Sequence, residues 1–481
     1  LARILLTHGK TVSGSDLKAN IQTQALQSLG AHIYLEQSAA NIQPEVECVV
    51  ISTAISENNP ELLRARMLNL PILHRSDVLR YLLEVSRGIA ITGTHGKTTT
   101  SALMSLVLME QQLDPTIVIG GQIPQLGTNA YAGSGDYTVA EVDESDQSLR
   151  KLTSEIVLIT NLEVDHLDHY SGLDEILEAV LEFLTHQPSQ GRIICNLDDA
   201  GVRRLLELMP AHYQQRCVGF GLTTADADYT ATHIENLTRS SRFELMHRGV
   251  SLGQFEIGIP GTHNVYNAMS VLATVHDMGL DMPKAAQSLA AYQGVQRRFQ
   301  LMGQMRDDIS VIDDYAHHPS EIRATLQAAR LQKKKITAVF QPHRYSRTQG
   351  LLNDFAQAFA EADRIIFTDI YAASENPLDF DITIQHLVHA AQVANPHKDV
   401  QFFSAFEDIA RYVQTHQEPQ SLVLTMGAGN ISQLSQLLVG KLQASSASDA
   451  LSDASALPSS SSPMAFSHDE VSCVKSVQFV S

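Results

Sequence analysis

The segment GIAITGTHGKTTT, residues 88–100, decides the fold class of this chain. The apolar run 88–92 predicts a buried strand, the glycines at 93 and 96 predict a tight loop, and the apolar pattern at 102–109 predicts a helix. In such a unit, backbone amides and the helix amino terminus bind phosphate, a loop lysine reaches terminal phosphates and a following threonine holds Mg²⁺. Ile91 stands where the standard P-loop has its first glycine, so the segment predicts a variant phosphate loop; an ordinary glycine turn is the alternative.

Composition narrows the class of protein further. The chain has 481 residues, which predicts about three domains. Its net charge of -19 disfavours nucleic-acid binding, and no apolar run approaches the roughly 20 residues of a membrane-spanning helix. The cysteines, at positions 48, 195, 217 and 473, are far apart, which argues against a zinc cluster or a disulfide framework. These features predict a cytoplasmic globular protein without membrane insertion.

Outside this segment, strand-like and helical patterns alternate, which is typical of α/β domains with parallel sheets. We expect domains at residues 1–86, 87–294 and 295–440. Nine of the twenty residues from Ala444 to Pro463 are serine and five are alanine, so we predict a disordered tail over 441–481.

Two further predicted strands end in groups that bind metals. The strand at 137–142 runs into Glu141, Asp143, Glu144 and Asp146, and the strand at 156–160 runs into Asn161, Glu163, Asp165 and His166. Ligands of α/β sheets bind at the carboxyl ends of strands, where carboxylates and an imidazole could hold Mg²⁺ against phosphates. Solvated loop charge is the alternative for any single one of these residues.

These segments, in this order, resemble the Mur ligases of bacterial peptidoglycan synthesis. The resemblance implies an N-terminal Rossmann-like UDP-binding domain, a central P-loop ATPase-like domain with a mostly parallel sheet and a C-terminal Rossmann-like domain. It implies ATP and Mg²⁺ as cofactors, UDP-N-acetylmuramate and L-alanine as substrates, and a monomer or a weak homodimer.

In the N-terminal domain, the resemblance assigns the nucleotide sugar to five residues, namely Ser15, Asp16, Ser52, Thr53 and His74. It also predicts a first strand with a Gly-rich loop ahead of Leu1. The chain opens directly into an amphipathic helical pattern at residues 1–6, so we expect a truncated domain that lacks about twenty residues.

The resemblance also assigns residues to the ATP site and to the amino-acid site. ATP is expected at Gly93, Thr94, His95, Gly96, Lys97, Thr98, Thr99, Asn264 and Asp314, Mg²⁺ at Thr98, Glu141 and His166, and catalysis at Lys97, Glu141, His166 and Arg298. The incoming amino acid is expected at Tyr315, His317, Arg344 and Arg347. Arg298 is preferred over Arg297 as the contact to the transferred phosphate, because a guanidinium matches phosphate oxygens.

The implied reaction is ATP-dependent amide synthesis through an acyl phosphate. No lysine lies between Lys151 and Lys284, which argues against the relatives that hold a second Mg²⁺ on a carbamylated lysine and favours the alanine-adding branch. Two alternatives stay open: the recycling ligase that joins a tripeptide to the same UDP-sugar, and a nucleotide-binding relative that does not catalyse the reaction.

Overall fold

The structure, a computed structural model, describes residues 1–144, 148–165, 170–373, 375–440 and 474–480. The chain divides into two compact units. Leu1–Gln296 and the carboxyl-terminal strand form the first unit, and the second begins at Arg297. The predicted boundary near residue 86 lies inside the first unit and stays a prediction.

The first part of the chain alternates short helices and strands. Asn20 caps its second helix through the backbone amide of Thr23, and Asn59 caps the third, which begins with a proline. The amphipathic pattern at the start of the chain forms a helix, as predicted. The elements are α1 (Ala2–Thr7), β1 (Thr11–Ser15), α2 (Ile21–Ser28), β2 (His32–Tyr34), β3 (Cys48–Ile51), α3 (Pro60–Met67), β4 (Ile72–His74) and α4 (Arg75–Glu84).

The middle part contains the predicted strand, loop and helix around residue 93, followed by longer elements. They are β5 (Arg87–Thr92), α5 (Lys97–Glu110), β6 (Thr116–Ile123), β7 (Thr128–Tyr131), β8 (Tyr137–Glu141), β9 (Ile156–Ile159), α6 (Leu173–Thr185), β10 (Arg192–Asn196), α7 (Ala200–Leu208), α8 (Ala211–Gln214), β11 (Cys217–Gly221), β12 (Tyr229–Asn236), β13 (Ser241–His247), β14 (Val250–Ile257), α9 (Thr262–Asp277) and α10 (Met282–Ala291).

The last part repeats the alternation of strand and helix. Its elements are β15 (Gln300–Met305), β16 (Ile309–Asp314), α11 (Pro319–Arg330), β17 (Ile336–Phe340), α12 (Tyr345–Gly350), α13 (Leu352–Gln357), β18 (Arg364–Phe367), α14 (Ile384–Ala394), β19 (Asp399–Phe402), α15 (Phe406–His416), β20 (Leu422–Met426), α16 (Ser432–Leu438) and β21 (Ser476–Val480).

The first sheet is parallel and has the order β2-β1-β21-β3-β4. The prediction of a disordered tail is therefore wrong for residues 476–480, which form the central strand of this sheet. Strand β21 occupies the position between β1 and β3, and the expected lack of about twenty residues ahead of Leu1 stays a prediction. The error arose because Val477, Phe479 and Val480 are too few apolar residues to outweigh the polar composition of the residues before them.

The second sheet has ten strands in the order β14-β13-β12-β11-β10-β9-β5-β8-β6-β7. Neighbours from β12 to β6 pair in parallel, and antiparallel strands complete both edges. Helices α5 and α9 contribute buried apolar side chains to the core on one face, and α6 and α7 contribute to the core on the other. The central strands are mostly apolar because both faces of the sheet are covered.

The third sheet has the order β15-β16-β20-β17-β18-β19, and only β15 pairs with its neighbour in antiparallel fashion. One face carries a cluster of buried phenylalanines, which includes Phe340, Phe355 and Phe367, and the other packs on α15 and α16. The α/β class with mostly parallel sheets is confirmed. Among the described residues, no helix combines the length and the apolar character needed to cross a bilayer.

Candidate functional site

The loop between β5 and α5 has a backbone that only glycine accommodates at two positions. Gly93 has a φ of 126° and Gly96 a φ of 83°. A Cβ atom on Gly93 would lie 2.3 Å from Thr160 Oγ1, and one on Gly96 would lie 2.5 Å from Asn267 Oδ1. The loop therefore presents bare backbone at the amino terminus of a fourteen-residue helix, as phosphate binding requires.

The end of β9 braces this loop. The backbone amide of Thr94 donates to the Asn161 carbonyl at 3.0 Å, and that of His95 donates to Asn161 Oδ1 at 2.8 Å. The Thr160 hydroxyl donates to the His95 carbonyl at 2.6 Å. These bonds hold the loop in one conformation, so little ordering entropy is lost when a ligand binds.

Lys97, the first residue of α5, is held between the loop and an acidic segment. Its Nζ donates to the Gly93 carbonyl at 2.7 Å and to Glu144 Oε2 at 3.0 Å, and it lies 3.7 Å from Asp143 Oδ1. Burial alone would lower the pKa of Lys97, but the nearby carboxylates of Glu144, Asp143 and Glu141 raise it above its ordinary value. Lys97 therefore carries a full positive charge at the phosphate loop.

Thr98 and Glu141 lie together beside Lys97. The Thr98 hydroxyl donates to Glu141 Oε1 at 2.9 Å, and the backbone amide of Gly120 donates to Glu141 Oε2 at 2.7 Å. A hydroxyl and a carboxylate oxygen are hard donors of the kind that Mg²⁺ takes, so these two residues fit the predicted metal. The third predicted ligand, His166, lies outside the described residues.

Asn264 lies in the first turn of α9 and is buried. Its Nδ2 donates to the Pro260 carbonyl at 2.7 Å, and its Oδ1 accepts from Asn267 Nδ2 at 3.2 Å. Asn267 in turn lies against Gly96. The start of α9 thus packs directly on the phosphate loop, which is consistent with the predicted ATP contact of Asn264.

The carboxyl end of β1 lines a cavity of about 310 Å³. Ser15 and Asp16, both predicted to contact the nucleotide sugar, lie in its wall together with Gly14 and Phe479. Ser15 is buried and donates to Glu61 Oε2 at 2.8 Å, whereas Asp16 accepts from the Lys18 backbone amide at 3.0 Å.

Ser52, Thr53 and His74 lie at the ends of neighbouring strands. Ser52 and Thr53 follow β3 in a turn, and His74 ends β4 and caps α4. Carboxyl ends of parallel strands share one edge of a sheet, so these residues lie on the same edge as Ser15. The structure does not place them in the wall of the 310 Å³ cavity.

In the second unit, Asp314 lies at the end of β16. Its carboxylate accepts from the backbone amides of Phe299 at 2.6 Å and Ala316 at 2.7 Å. Burial raises the pKa of Asp314 to about 6, and the positive charge of Arg298 opposes that rise. A carboxylate at a strand end of this kind suits the predicted contact to ribose hydroxyls.

The two candidate arginines share one aromatic ring. The Arg297 guanidinium lies 4.7 Å from the centre of the Tyr315 ring, and that of Arg298 lies 5.2 Å from it. Arg297 also donates to the Gly427 carbonyl at 2.5 Å, whereas Arg298 lies 3.5 Å from Glu321 Oε1. Arg297 thus contacts both a backbone carbonyl and Asp313, whose Oδ2 lies 3.5 Å from its Nε, whereas Arg298 lies beside Glu321.

The predicted amino-acid contacts lie near these arginines and at the end of β17. His317 Nδ1 lies 3.0 Å from the Tyr315 carbonyl, and the His317 amide donates to Glu321 Oε2 at 2.9 Å. Arg344 has a φ of 69° and precedes α12, and Arg347 in that helix is buried with its guanidinium 3.3 Å from His343 Nδ1. The two arginines thus lie at one strand end, as predicted.

Several site residues were not predicted. Glu144, which forms an ion pair with Lys97, lies in the acidic segment noted in the sequence. Only the structure shows that Glu144 is buried, which distinguishes it from its acidic neighbour Asp143. Asn161 and Thr160 brace the loop from β9, and Asn267 crowds Gly96 from α9. The location of Glu144 and Asn161 at strand ends offered a signal in the sequence, whereas Thr160 and Asn267 had none.

Three family models match consecutive parts of the chain. Residues 1–87 match the Mur ligase family catalytic domain, residues 91–275 the Mur ligase middle domain and residues 297–429 the Mur ligase glutamate ligase domain. The order agrees with the three domains that the resemblance implied.

Curated relatives and solved structures match almost the full length. A protein of Gloeobacter violaceus named UDP-N-acetylmuramate--L-alanine ligase is 43% identical over 90% of this chain and 91% of its own length. One of the same name from Pelotomaculum thermopropionicum is 42% identical over 90% of this chain and 92% of its own. The crystal structure of UDP-N-acetylmuramate-alanine ligase from Thermotoga maritima has a TM-score of 0.75 and 27% identity, covering 91% of this chain and 94% of that one. These matches and the site geometry establish that the chain belongs to the Mur ligase family.

Proposed function

We propose that this chain is an ATP-dependent ligase that joins L-alanine to the lactyl carboxylate of UDP-N-acetylmuramate in peptidoglycan precursor synthesis. A carboxylate is a poor electrophile, so it first attacks the γ-phosphorus of ATP, forming an acyl phosphate and releasing ADP. The amine of L-alanine then attacks the acyl carbon. The tetrahedral intermediate collapses to the amide and inorganic phosphate, and the amine loses a proton.

The residues of the phosphate loop carry the first step. The loop amides bind the phosphate chain, and Lys97 balances the charge on the phosphoryl group during transfer. Lys97 is held by Glu144 and Gly93, so its ammonium is positioned before ATP arrives. Thr98 and Glu141 would hold Mg²⁺, which would neutralise negative charge on the phosphates of ATP.

Residues of the second unit are proposed for the other contacts. Arg298 binds the transferred phosphoryl group and Asp314 the ribose. Arg344 and Arg347 bind the carboxylate of the amino acid, since two guanidinium groups at one strand end match its oxygens. Tyr315 and His317 lie near the incoming amine, and Ser15 with Asp16 binds the UDP portion.

The observation that carries this proposal is the geometry around Lys97. A partly buried, charged lysine, two glycines with positive φ and a Thr98–Glu141 pair are the groups that binding of a nucleoside triphosphate with Mg²⁺ requires. The names of the 43% and 42% identical relatives support L-alanine as the acceptor. We further propose that the reaction takes place in the cytoplasm, which fits the free thiols of Cys48, Cys195 and Cys217.

The test is phosphate release from ATP and Mg²⁺ with UDP-N-acetylmuramate, in the presence of L-alanine, the tripeptide or no amine. Release that depends on L-alanine supports the proposal, and release that depends on the tripeptide moves the function to recycling. If neither L-alanine nor the tripeptide stimulates phosphate release, the chain is a non-catalytic relative. A lactyl carboxylate labelled with ¹⁸O should transfer one label to phosphate, because its oxygen forms the bond to phosphorus and leaves with it.

A matched pair of variants tests the metal assignment. Thr98→Val removes the hydroxyl beside Glu141 and should raise the Mg²⁺ concentration for half-maximal rate by about tenfold. Thr100→Val is the control, because Thr100 is fully buried in the same helix and its hydroxyl has no hydrogen-bond partner among the described residues. Equal Mg²⁺ dependence in the two variants would contradict the assignment of Thr98.

A further inference from the structure

A row of four aromatic rings lies along the carboxyl edge of the third sheet. The ring centres of Tyr315 and His317 are 5.3 Å apart, those of His317 and His343 are 6.0 Å apart, and those of His343 and Tyr371 are 5.6 Å apart. The first two residues follow β16, the third follows β17 and the fourth follows β18. We call these four residues the ring row. Ligands of open parallel sheets bind at such strand ends.

The backbone of Tyr371 is fixed to the loop that carries the predicted amino-acid contacts. Its amide donates to the Pro342 carbonyl at 2.8 Å, and its carbonyl accepts from the Arg344 amide at 2.8 Å. The two bonds enclose His343, and the Tyr371 ring stacks on the His343 ring with 13° between the planes. Tyr371 therefore has a set position relative to the backbone of Arg344.

The ring of Tyr371 is packed on two sides and open elsewhere. A Cβ atom on Gly429 would lie 2.7 Å from Tyr371 Cγ, so the glycine loop after β20 lies directly against the ring. The His343 ring covers another side. Tyr371 is nevertheless 39% exposed. Its aromatic surface is thus held by its neighbours while part of it is accessible to a ligand.

The proposed function assigns two of the three groups on the Cα atom of L-alanine. The carboxylate is assigned to Arg344 and Arg347 at the end of β17. The amine is assigned to Tyr315 and His317 after β16. Contacts to these two groups hold the amino acid in one orientation, so its side chain points to a third side of the site.

The order of residues along the ring row identifies that third side. The Arg347 guanidinium lies 3.3 Å from His343 Nδ1, so the carboxylate contact adjoins the third ring of the row. The amine contacts are the first two rings. Tyr371, the fourth ring, lies beyond both, and an aromatic face is a surface against which a methyl group packs well.

We propose that Tyr371 sets the size of the amino-acid side chain that the site accepts, by closing the space beyond the methyl group of L-alanine. A longer side chain would have to displace a ring that His343 and the loop at Gly429 hold in place. One methylene in such a contact changes the preference between substrates by about 10- to 200-fold, so the ring favours small L-amino acids. This inference rests on the proposed function, which supplies the carboxylate and amine contacts.

The test compares L-alanine with L-2-aminobutyrate, whose side chain is one methylene longer. Phosphate release by the full chain with ATP, Mg²⁺ and UDP-N-acetylmuramate gives kcat/KM for each amino acid. Tyr371→Ala should raise the ratio of the L-2-aminobutyrate value to the L-alanine value by about tenfold. Tyr371→Phe keeps the ring and should leave this ratio unchanged. An equal loss of kcat/KM for both amino acids in Tyr371→Ala would show that the ring only supports folding, and would overturn the inference.

Tyr412→Ala is the matched control. Tyr412 also stacks on a histidine, His416, with 15° between the planes, but it lies in α15 and its hydroxyl donates to Asp399. Its removal should leave the ratio between the two amino acids unchanged. The same rise in Tyr412→Ala as in Tyr371→Ala would overturn the inference, because selectivity would then respond to any loss of packing.

A second variant covers the case in which Tyr371→Ala does not fold. Tyr371→Leu keeps an apolar side chain against Gly429 but is shorter than tyrosine, and it should raise the ratio by at least about threefold. L-alanine-dependent phosphate release with an unchanged ratio in this variant would refute the role of Tyr371 alone. Phosphate release by the full chain that L-alanine does not stimulate would instead refute the proposed function, and this inference with it.

Discussion

The phosphate loop and the first-sheet cavity are built in opposite ways. The loop, residues 93–96, lies between a strand and a helix that are adjacent in sequence, so its motif consists of consecutive residues. The cavity depends on a pairing of Ser13 with Gln478, which are 465 positions apart. This difference teaches that a short motif identifies a site when its geometry is local, whereas a site assembled by distant strands has to be found in the structure.

The largest effect is expected at the local site. Lys97→Met should lower alanine-dependent phosphate release by about 10³-fold, because the charge that stabilises the phosphoryl group is lost. Lys335→Met is the control, since Lys335 is exposed and pairs with Glu418 on the surface. Steady-state phosphate release measures both.

The Lys97→Met variant leaves Glu144 buried without its cation, which destabilises a protein by about 3–5 kcal/mol. The double variant Lys97→Met/Glu144→Gln removes that charge and should recover the melting temperature without recovering activity. Recovery of activity in the double variant would show that Lys97 acts only in folding.

A pair of glycines tests how strictly the loop geometry is set. Gly96→Ala should weaken the binding of an ATP analogue by about 100-fold, because the new Cβ has a strained φ and lies against Asn267. Gly30 has a similar φ of 98°, but a Cβ atom at that position would meet nothing within 4 Å, so Gly30→Ala carries the strain without the crowding. Calorimetric titration should show no change for Gly30→Ala; equal losses would mean that backbone strain alone accounts for the effect.

The pH dependence of the KM for ATP tests the role of Asp314 in the second unit. The pKa of Asp314 is raised to about 6, so its carboxylate loses its charge as the pH falls through that value. Ribose hydroxyls donate more strongly to a carboxylate than to the protonated acid, and the KM for ATP should rise about tenfold per pH unit below 6. The Asp314→Asn variant should lack this slope between pH 5 and 7, and the same slope in that variant would contradict the assignment.

The same shift predicts the sign of a stability effect. The folded carboxyl of Asp314 keeps its proton to about pH 6, whereas the unfolded one loses it near 3.8. The folded state therefore binds more protons in this window, and the contribution of Asp314 to stability falls as the pH rises from 3.8 to about 6. Urea unfolding of the protein and of Asp314→Asn across this range measures the difference.

The smallest effect is expected on breaking the hydrogen bond between Ser13 and Gln478, which lie far apart in the sequence. Ser13→Ala removes the bond to buried Gln478 and should lower the free energy of unfolding by about 1–3 kcal/mol, since an amide oxygen loses its partner. Ser28→Ala removes an exposed local bond from Ser28 Oγ to the Ala25 carbonyl and should change it by less than about 0.5 kcal/mol. Urea unfolding measures both variants. Equal decreases in the free energy of unfolding would contradict the importance of the Ser13–Gln478 hydrogen bond.

Much of the α/β architecture could be predicted from local patterns. The predicted strands at 88–92, 137–142 and 156–160 and the predicted helix at 102–109 occur where the apolar pattern placed them. Because apolar side chains must be covered, such patterns indicate which segments enter a core. They do not indicate which strands become neighbours, and that is why the tail was misjudged.

The sequence by itself determined the phosphate loop, the acidic strand ends and the family, because each of these depends on residues close together in the chain. Only the tertiary structure decided that Glu144 pairs with Lys97, that Asn267 lies against Gly96 and that residues 476–480 complete the first sheet. The physical reason is that parallel strand pairing and burial join segments whose separation leaves no trace in local periodicity. The five-residue strand 476–480 has only three apolar side chains, and its place in the sheet is set by hydrogen bonds to the two strands beside it.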